Sequence, residues 1–304
     1  MPTIEGASGL GAGVSPMAEE QDETLKVQEQ LEIYEHTLGH SPEELERLER
    51  QADYLREATR DLLVWAGLAK GMRVLDLGAG AGDVSLLAAE LVGDTGRVVA
   101  VEPSEQALKE MSSRLAHRGL RNVRTIKADD HNLPSIPGGF DAVVGRLIMV
   151  HVKDPAATLQ RLLKVLRPGG IIAFQEIDIE ARCWSEPHLP LIHKCYEWIV
   201  GAFTTGGMPQ HIGRILCDAY AAARLTNRHI VRLGMMESDI DTPAFGFLAR
   251  TVKVLAPAIE AMHIATSKEM DVDTLEERLR AETVAAKGHF IPSYLLNAWA
   301  RKPL

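Results

Sequence analysis

From residue 71 to about 180, short apolar runs rich in β-branched residues alternate with stretches whose apolar positions recur at helical spacing. That alternation is the pattern of parallel strands joined by helices. It predicts strands at Arg73–Leu77, Arg97–Glu102, Asn122–Lys127, Phe140–Arg146 and Gly170–Glu176. Helices fall between them, near residues 83–92, 104–118 and 155–166. Gly93 stops the first, Ser104 caps the second and Asp154-Pro155 opens the third. Arg167-Pro168-Gly169-Gly170 closes the third helix and turns into the fifth strand.

Other textures flank this block. Residues 1–17 are mostly small and predict a disordered tail. Residues 18–38 are charged, with Leu25, Leu31, Ile33 and Tyr34 interspersed, and suit a surface helix. Ser41-Pro42-Glu43-Glu44 is a capping box, behind which Leu45, Leu48, Ala52, Leu55, Leu62 and Leu63 keep helical spacing to near Gly67. Beyond residue 180 the alternation stops. Residues 184–225 and 243–287 read as helical, Asn227–Leu233 as a strand, and Phe290–Ala300 as a last strand. The expected organisation is a tail (1–17), an N-terminal helical lid (18–67), a core (68–182), and a remainder (183–304). The remainder completes the sheet and carries helical insertions near 184–225 and 243–287.

Composition narrows the function. The 304 residues are 46% apolar and 25% charged, as in an ordinary folded protein. Thirty-three basic residues against 42 acidic ones leave a net charge of −9, which argues against a nucleic-acid partner. No apolar run approaches bilayer length, so no membrane partner is expected. Cys183, Cys195 and Cys217 form no CxxC pair, which disfavours a disulfide framework or a metal site. The N-terminus lacks the basic region and apolar core of a secretion signal, and the expected compartment is the cytoplasm.

The densest chemistry lies in Val74-Leu75-Asp76-Leu77-Gly78-Ala79-Gly80-Ala81-Gly82-Asp83. A strand runs into alternating glycines and then a helix, a turn that lets a ligand approach the backbone closely. The second strand ends in Glu102, placed to accept both hydroxyls of a ribose. Asp83 stands where a dinucleotide fingerprint has its third glycine, and Asp76 precedes the loop. Two carboxylates without an adjacent base repel a pyrophosphate, so NAD-linked oxidoreduction is disfavoured. They suit a cationic ligand with a ribose, and S-adenosylmethionine (SAM) meets every requirement.

The runs VLDLGAGAGDVSLLAA, VVAVEPSEQAL, KADDHNLP, FDAVVGRLIMVHVKDP and LRPGGIIAFQE resemble those of class I SAM-dependent methyltransferases. They are similar to the small-molecule enzymes of the type 11 and UbiE-like group. The resemblance covers about residues 70–180. It implies an α/β, Rossmann-like, seven-stranded, mostly parallel sheet with helices on both faces and the last strand antiparallel. It also implies cofactor roles. Gly78, Gly80 and Gly82 form the loop under the methionine part of SAM, and Asp76 orients loop and ammonium. Glu102 holds the ribose, Asp129 takes the adenine amino group, and its neighbour Asp130 shares that role. Arg146 faces the methionine carboxylate, with a salt bridge to a nearby acid as the alternative.

Methyl transfer needs an aligned acceptor in a dry pocket, and a base when the acceptor is a hydroxyl or acidic carbon. His151, just past the fourth strand, is the expected catalytic base, with helix capping or surface packing as its alternative. Glu176 and Asp178 follow the fifth strand at the same edge. Trp184, Tyr196, Trp198, Phe203 and Met208, with Met235, Met236, Phe245, Phe247 and Met262, promise an apolar lid. Tyr34 and Gln51 are assigned to the acceptor pocket by a faint resemblance to related N-terminal lids. The expected acceptor-binding set is thus Tyr34, Gln51, Glu176, Asp178, Trp184 and Met208. The expected partner is a small, largely apolar acceptor, aromatic or heteroaromatic, of secondary metabolism. Protein methylation and non-catalytic SAM binding stay as alternatives, and a homo-oligomer is left open.

Overall fold

A computed structural model describes residues 42–129 and 136–304, with side chains from Tyr54 onward in the first segment. The chain opens with α1 (Pro42–Ala66), followed by β1 (Arg73–Leu77), α2 (Asp83–Val92), β2 (Arg97–Glu102) and α3 (Glu105–His117). Next come β3 (Val123–Lys127), β4 (Phe140–Arg146), a single 3₁₀ turn at Met149–His151, α4 (Pro155–Val165) and β5 (Leu166–Asp178). The remainder holds β6 (Trp184–Glu186), α5 (Pro190–Thr205), α6 (Ile212–Ala222), β7 (Thr226–Gly234) and α7 (Ala244–Ala261). It closes with α8 (Ser267–Met270), α9 (Leu275–Ala286), β8 (His289–Ile291) and β9 (Tyr294–Arg301).

Seven strands form one sheet in the order β3-β2-β1-β4-β5-β9-β7, in which β9 runs antiparallel to both its neighbours. The central strands read as continuous apolar runs because both faces are covered. On one face, Val74, Val98, Ala142 and Ile171 pack against Leu62 and Leu63 of α1 and Leu87 and Ala88 of α2. On the other, Leu75, Val143 and Ile172 meet Leu159 and Leu162 of α4 and Leu216 and Tyr220 of α6. A separate core joins α5, α7 and α9 to Tyr54 and Leu55 of α1. It stands beyond the carboxyl ends of the strands, where open α/β sheets bind ligands.

The predicted caps form. Ser104 Oγ accepts from the Ala107 amide at 3.3 Å, and Asp154 Oδ1 from the Ala157 amide at 2.9 Å. Three expectations are corrected. Arg167-Pro168-Gly169 is not a free turn but a stretch of β5 with a register shift against β4. The stretch 184–225 is not helical throughout, since β6 opens it and residues 206–211 separate α5 from α6. The last strand is broken at residues 292 and 293 into β8 and β9. The tail, the 18–38 helix, Tyr34 and Asp130 lie outside the described residues, as does the side chain of Gln51. Among the described residues no helix is long and apolar enough to cross a membrane.

Candidate active site

The turn after β1 is built on left-handed glycines. Gly78 (φ 65°) cannot carry a side chain, because a Cβ there would meet Ile148 Cδ1 at 2.6 Å. Gly82 (φ 94°) packs beside Met111 of α3, whose Cγ would lie 2.5 Å from a Cβ at this position, so a glycine is needed for the helix to pack here. Gly80 (φ 52°) alone faces open space, with no atom within 4 Å of the Cβ position. Glu102, at the end of β2, accepts from the Gly80 amide and from the Ser104 amide, both at 2.9 Å.

Asp76 is wholly buried under this loop. Its Oδ2 accepts from Ser85 Oγ at 2.6 Å, while Oδ1 finds no hydrogen-bond partner among the described residues. Burial pushes the Asp76 carboxyl up to about 7, against the pull of Ser85 and Arg146. A buried carboxylate oxygen with nothing to accept from is a ready partner for a cationic ligand.

Two cavities lie at the carboxyl edge of the sheet. The first is a cleft of about 630 Å³ lined by Gly78, Pro103, Asp129, Ile148, His151 and Lys153. The second is a chamber of about 100 Å³ between the sheet edge and helices α5 and α7. Its walls include Leu147, Ile177, Tyr196, Phe203, Met208 and Phe247, with His151, Thr251 and Ser293 among its polar side chains. Tyr196 and Thr251 spend their hydroxyl hydrogens on backbone carbonyls, those of Ile179 or Ala181 and of Phe247. Among the described residues no Asp, Glu, Lys or Arg lines this chamber. His151 lines both cavities. Burial holds its imidazole below the usual histidine range, so it is neutral at pH 7 and able to accept a proton.

Residues 68–211 match the family described as "Methyltransferase domain". The ubiquinone/menaquinone biosynthesis C-methyltransferase UbiE of Azotobacter vinelandii is 33% identical over 139 residues, 45% of this chain and 52% of the relative. Its counterpart in Ectopseudomonas mendocina is 34% identical over 133 residues, 43% of this chain and 49% of the relative. The chain spans about half the length of the curated relatives it matches. Among solved structures, the YcgJ protein of Bacillus subtilis superposes with a TM-score of 0.50 at 12% identity, covering 82% of this chain and 99% of YcgJ. Over residues 68–211 the chain is thus similar to a methyltransferase domain.

Within this matched stretch the predicted residues divide. Gly78 and Asp129 line the cleft, Asp76 and Glu102 lie at its loop, and Gly80 opens toward solvent space. His151 and Met208 line the chamber. Four assignments are corrected. Arg146 is committed to Asp83 at 3.0 Å and to Thr59 at 3.2 Å, the salt-bridge alternative. Glu176 is fully buried, and its Oε1 accepts from the amides of Met149 at 2.9 Å and Ile148 at 3.3 Å. It does not line the chamber; it grips the turn that carries His151. Asp178 is ion-paired with Arg232 at 2.6 Å instead of facing the chamber. Trp184 pairs with Ile291 in the small β6–β8 sheet, 39% exposed and away from the chamber.

The residues that sequence reading missed are the aliphatic chamber walls. Ile199, Val200, Val254 and Leu255 continue the faces of α5 and α7 that carry Tyr196, Phe203 and Phe247. Their three- and four-residue spacing was the available signal.

Proposed function

We propose that the protein transfers the methyl group of SAM to a small, largely apolar acceptor held in the chamber. The observation that carries this is the position of His151 in a wall common to the polar cleft and the apolar chamber. When bound, SAM supplies an activated methyl on a sulfonium with a good leaving group. The residues of the chain do the rest. Asp76 Oδ1 takes the cationic end, Glu102 the ribose, and Asp129 the adenine side of the cleft. At Gly78 the fold leaves no room for a side chain, and at Gly80 the space a side chain would fill is open for the cofactor to approach the backbone. An unpartnered buried carboxylate, an acid at the end of β2 and an open glycine face are the groups this cofactor requires.

The chamber admits a neutral molecule, since its walls offer no charge to pair with one. With SAM bound, neutral His151 would accept the proton of a hydroxyl or acidic carbon, and the apolar walls would keep water out. An aromatic or heteroaromatic acceptor of the kind made in secondary metabolism meets these conditions. The curated relatives are named for C-methylation in ubiquinone and menaquinone biosynthesis, and a ring carbon activated by a hydroxyl is compatible with the same chamber.

The test pairs a structure bearing S-adenosylhomocysteine with transfer of labelled methyl to a panel of phenols, heteroaromatic amines and a histone-type peptide. Transfer to a neutral ring compound, with the ring beside the sulfur in the chamber, is expected. Transfer to the peptide alone would move protein methylation to the front.

A further inference from the structure

Asp83 and Arg146, half-buried, and Thr59, buried, form a polar chain that the transfer chemistry above does not use. Asp83 opens α2 directly after the glycine loop, and both its oxygens are held by guanidinium groups. Arg114 reaches Oδ1 at 2.7 Å and Arg146 reaches Oδ2 at 3.0 Å. The other amino group of Arg146 donates to Thr59 Oγ1 at 3.2 Å, in the middle of α1. The single hydroxyl hydrogen of Thr59 has Gln175 Oε1 at 2.7 Å and the Leu55 carbonyl at 2.9 Å as acceptors. Gln175 Nε2 then donates to Asn297 Oδ1 at 2.8 Å. Thr59, Gln175 and Asn297 are all buried, so water does not replace these bonds.

Thr59 lies outside the matched domain of residues 68–211, yet its hydroxyl touches the side chain that holds the loop. We propose that Thr59 is a positioning residue that couples the seating of α1 to the geometry of the glycine loop, so that helix docking and SAM binding reinforce each other. This rests on the SAM reading of the loop. The physical reason lies in what Arg146 does without Thr59. Its freed amino group is drawn toward the Asp76 carboxyl, which already acts on it electrostatically. Asp76 is the acid needed by the cationic end of SAM, so a guanidinium that turns to it competes with the cofactor. Coupling of this kind is reciprocal: if α1 favours SAM, SAM holds α1 in place.

The experiment uses the full chain with Thr59→Val, which keeps shape and loses the hydroxyl, and Thr59→Ser, which keeps it. Calorimetry with S-adenosylhomocysteine and hydrogen exchange of the α1 amides are read together. Thr59→Val is expected to weaken binding roughly tenfold, the cost of an unpaired buried charged donor. Thr59→Ser should bind close to wild type, and the ligand should slow exchange in α1 of the wild type more than in Thr59→Val. A folded Thr59→Val with unchanged affinity overturns the coupling and leaves the cofactor reading intact. So does wild-type α1 exchange that saturating ligand leaves unaltered, and this measurement decides alone if Thr59→Val does not fold. A wild type without affinity for the ligand overturns the cofactor reading as well.

Discussion

Glu102 Oε2 accepts a hydrogen bond from the Gly80 amide at 2.9 Å, so the acid assigned to ribose also ties β2 to the glycine loop. Its other oxygen is held by the Ser104 amide. Glu102→Ala therefore removes both a ligand contact and a loop tether, and should weaken SAM binding by about 1–3 kcal/mol. Glu102→Gln keeps a carbonyl oxygen for one of the two amides and should lose less. Equal SAM affinity in Glu102→Ala and wild type, measured by calorimetry, would reject the ribose assignment.

Gly80 and Gly82 should answer substitution differently. Gly80→Val places a branched side chain in open space at φ 52°, where nothing of the fold is displaced. The expected variant keeps its circular dichroism and loses cofactor binding. Gly82→Ala drives a Cβ into Met111, so it should lower stability by roughly 1–3 kcal/mol before any ligand is added. A Gly82→Ala protein with wild-type melting would show that α3 yields at no cost.

Asp76 gives a pH dependence with a definite sign. Its carboxyl rises from 3.8 to about 7 on folding, chiefly through burial. The protonated form is the one the fold favours, so this contribution is complete below pH 3.8 and is lost as pH climbs through 7. Asp76→Asn cannot ionise, and its stability relative to wild type should rise between pH 5 and 8, by at most about 1.4 kcal/mol per unit. A cationic ligand favours the carboxylate, so SAM affinity of the wild type should rise over the same interval. Affinity that is flat from pH 5.5 to 8 would remove Asp76 from the cofactor site.

His151 is separable from the cofactor. His151→Ala should lower turnover by about 10²–10⁴ with SAM affinity unchanged. Burial lowers its pKa, so the acid limb of the wild-type rate profile should fall below the usual histidine midpoint of 6.5. An acid limb at or above 6.5 that persists in His151→Ala would assign the proton to another group.

The parts legible in the sequence were those set by local physics. Strands covered on both faces read as apolar runs, Ser104 and Asp154 announced their helices, and Gly78 and Gly80 marked the loop. Polar residues at strand ends were legible as positions but not as partnerships. Glu176 Oε1 is held by the amides of Ile148 and Met149, and Asp178 is ion-paired with Arg232, and no local pattern announces either pairing. Arg146 is the sharpest case, because its second partner, Thr59, lies 87 residues earlier on a helix. The chamber was half legible: periodicity gives the inner faces of α5 and α7 but not that both line one cavity with His151.

The placement of β9 has a consequence for biosynthesis. Tyr294–Arg301 pairs with β5 on one side and β7 on the other, although both precede it in the chain. Until residue 301 has left the ribosome, β5 and β7 present two facing, unsatisfied edges with a strand-wide gap between them. Exposed edges of that kind recruit other chains. The nascent protein thus passes through a window in which chaperone protection matters most, and the window closes in one step when the missing strand slides in. Chains stalled before residue 294 should be retained by chaperones in a translation extract, and chains extended past residue 301 released; equal release of both would show that the gap closes by another route.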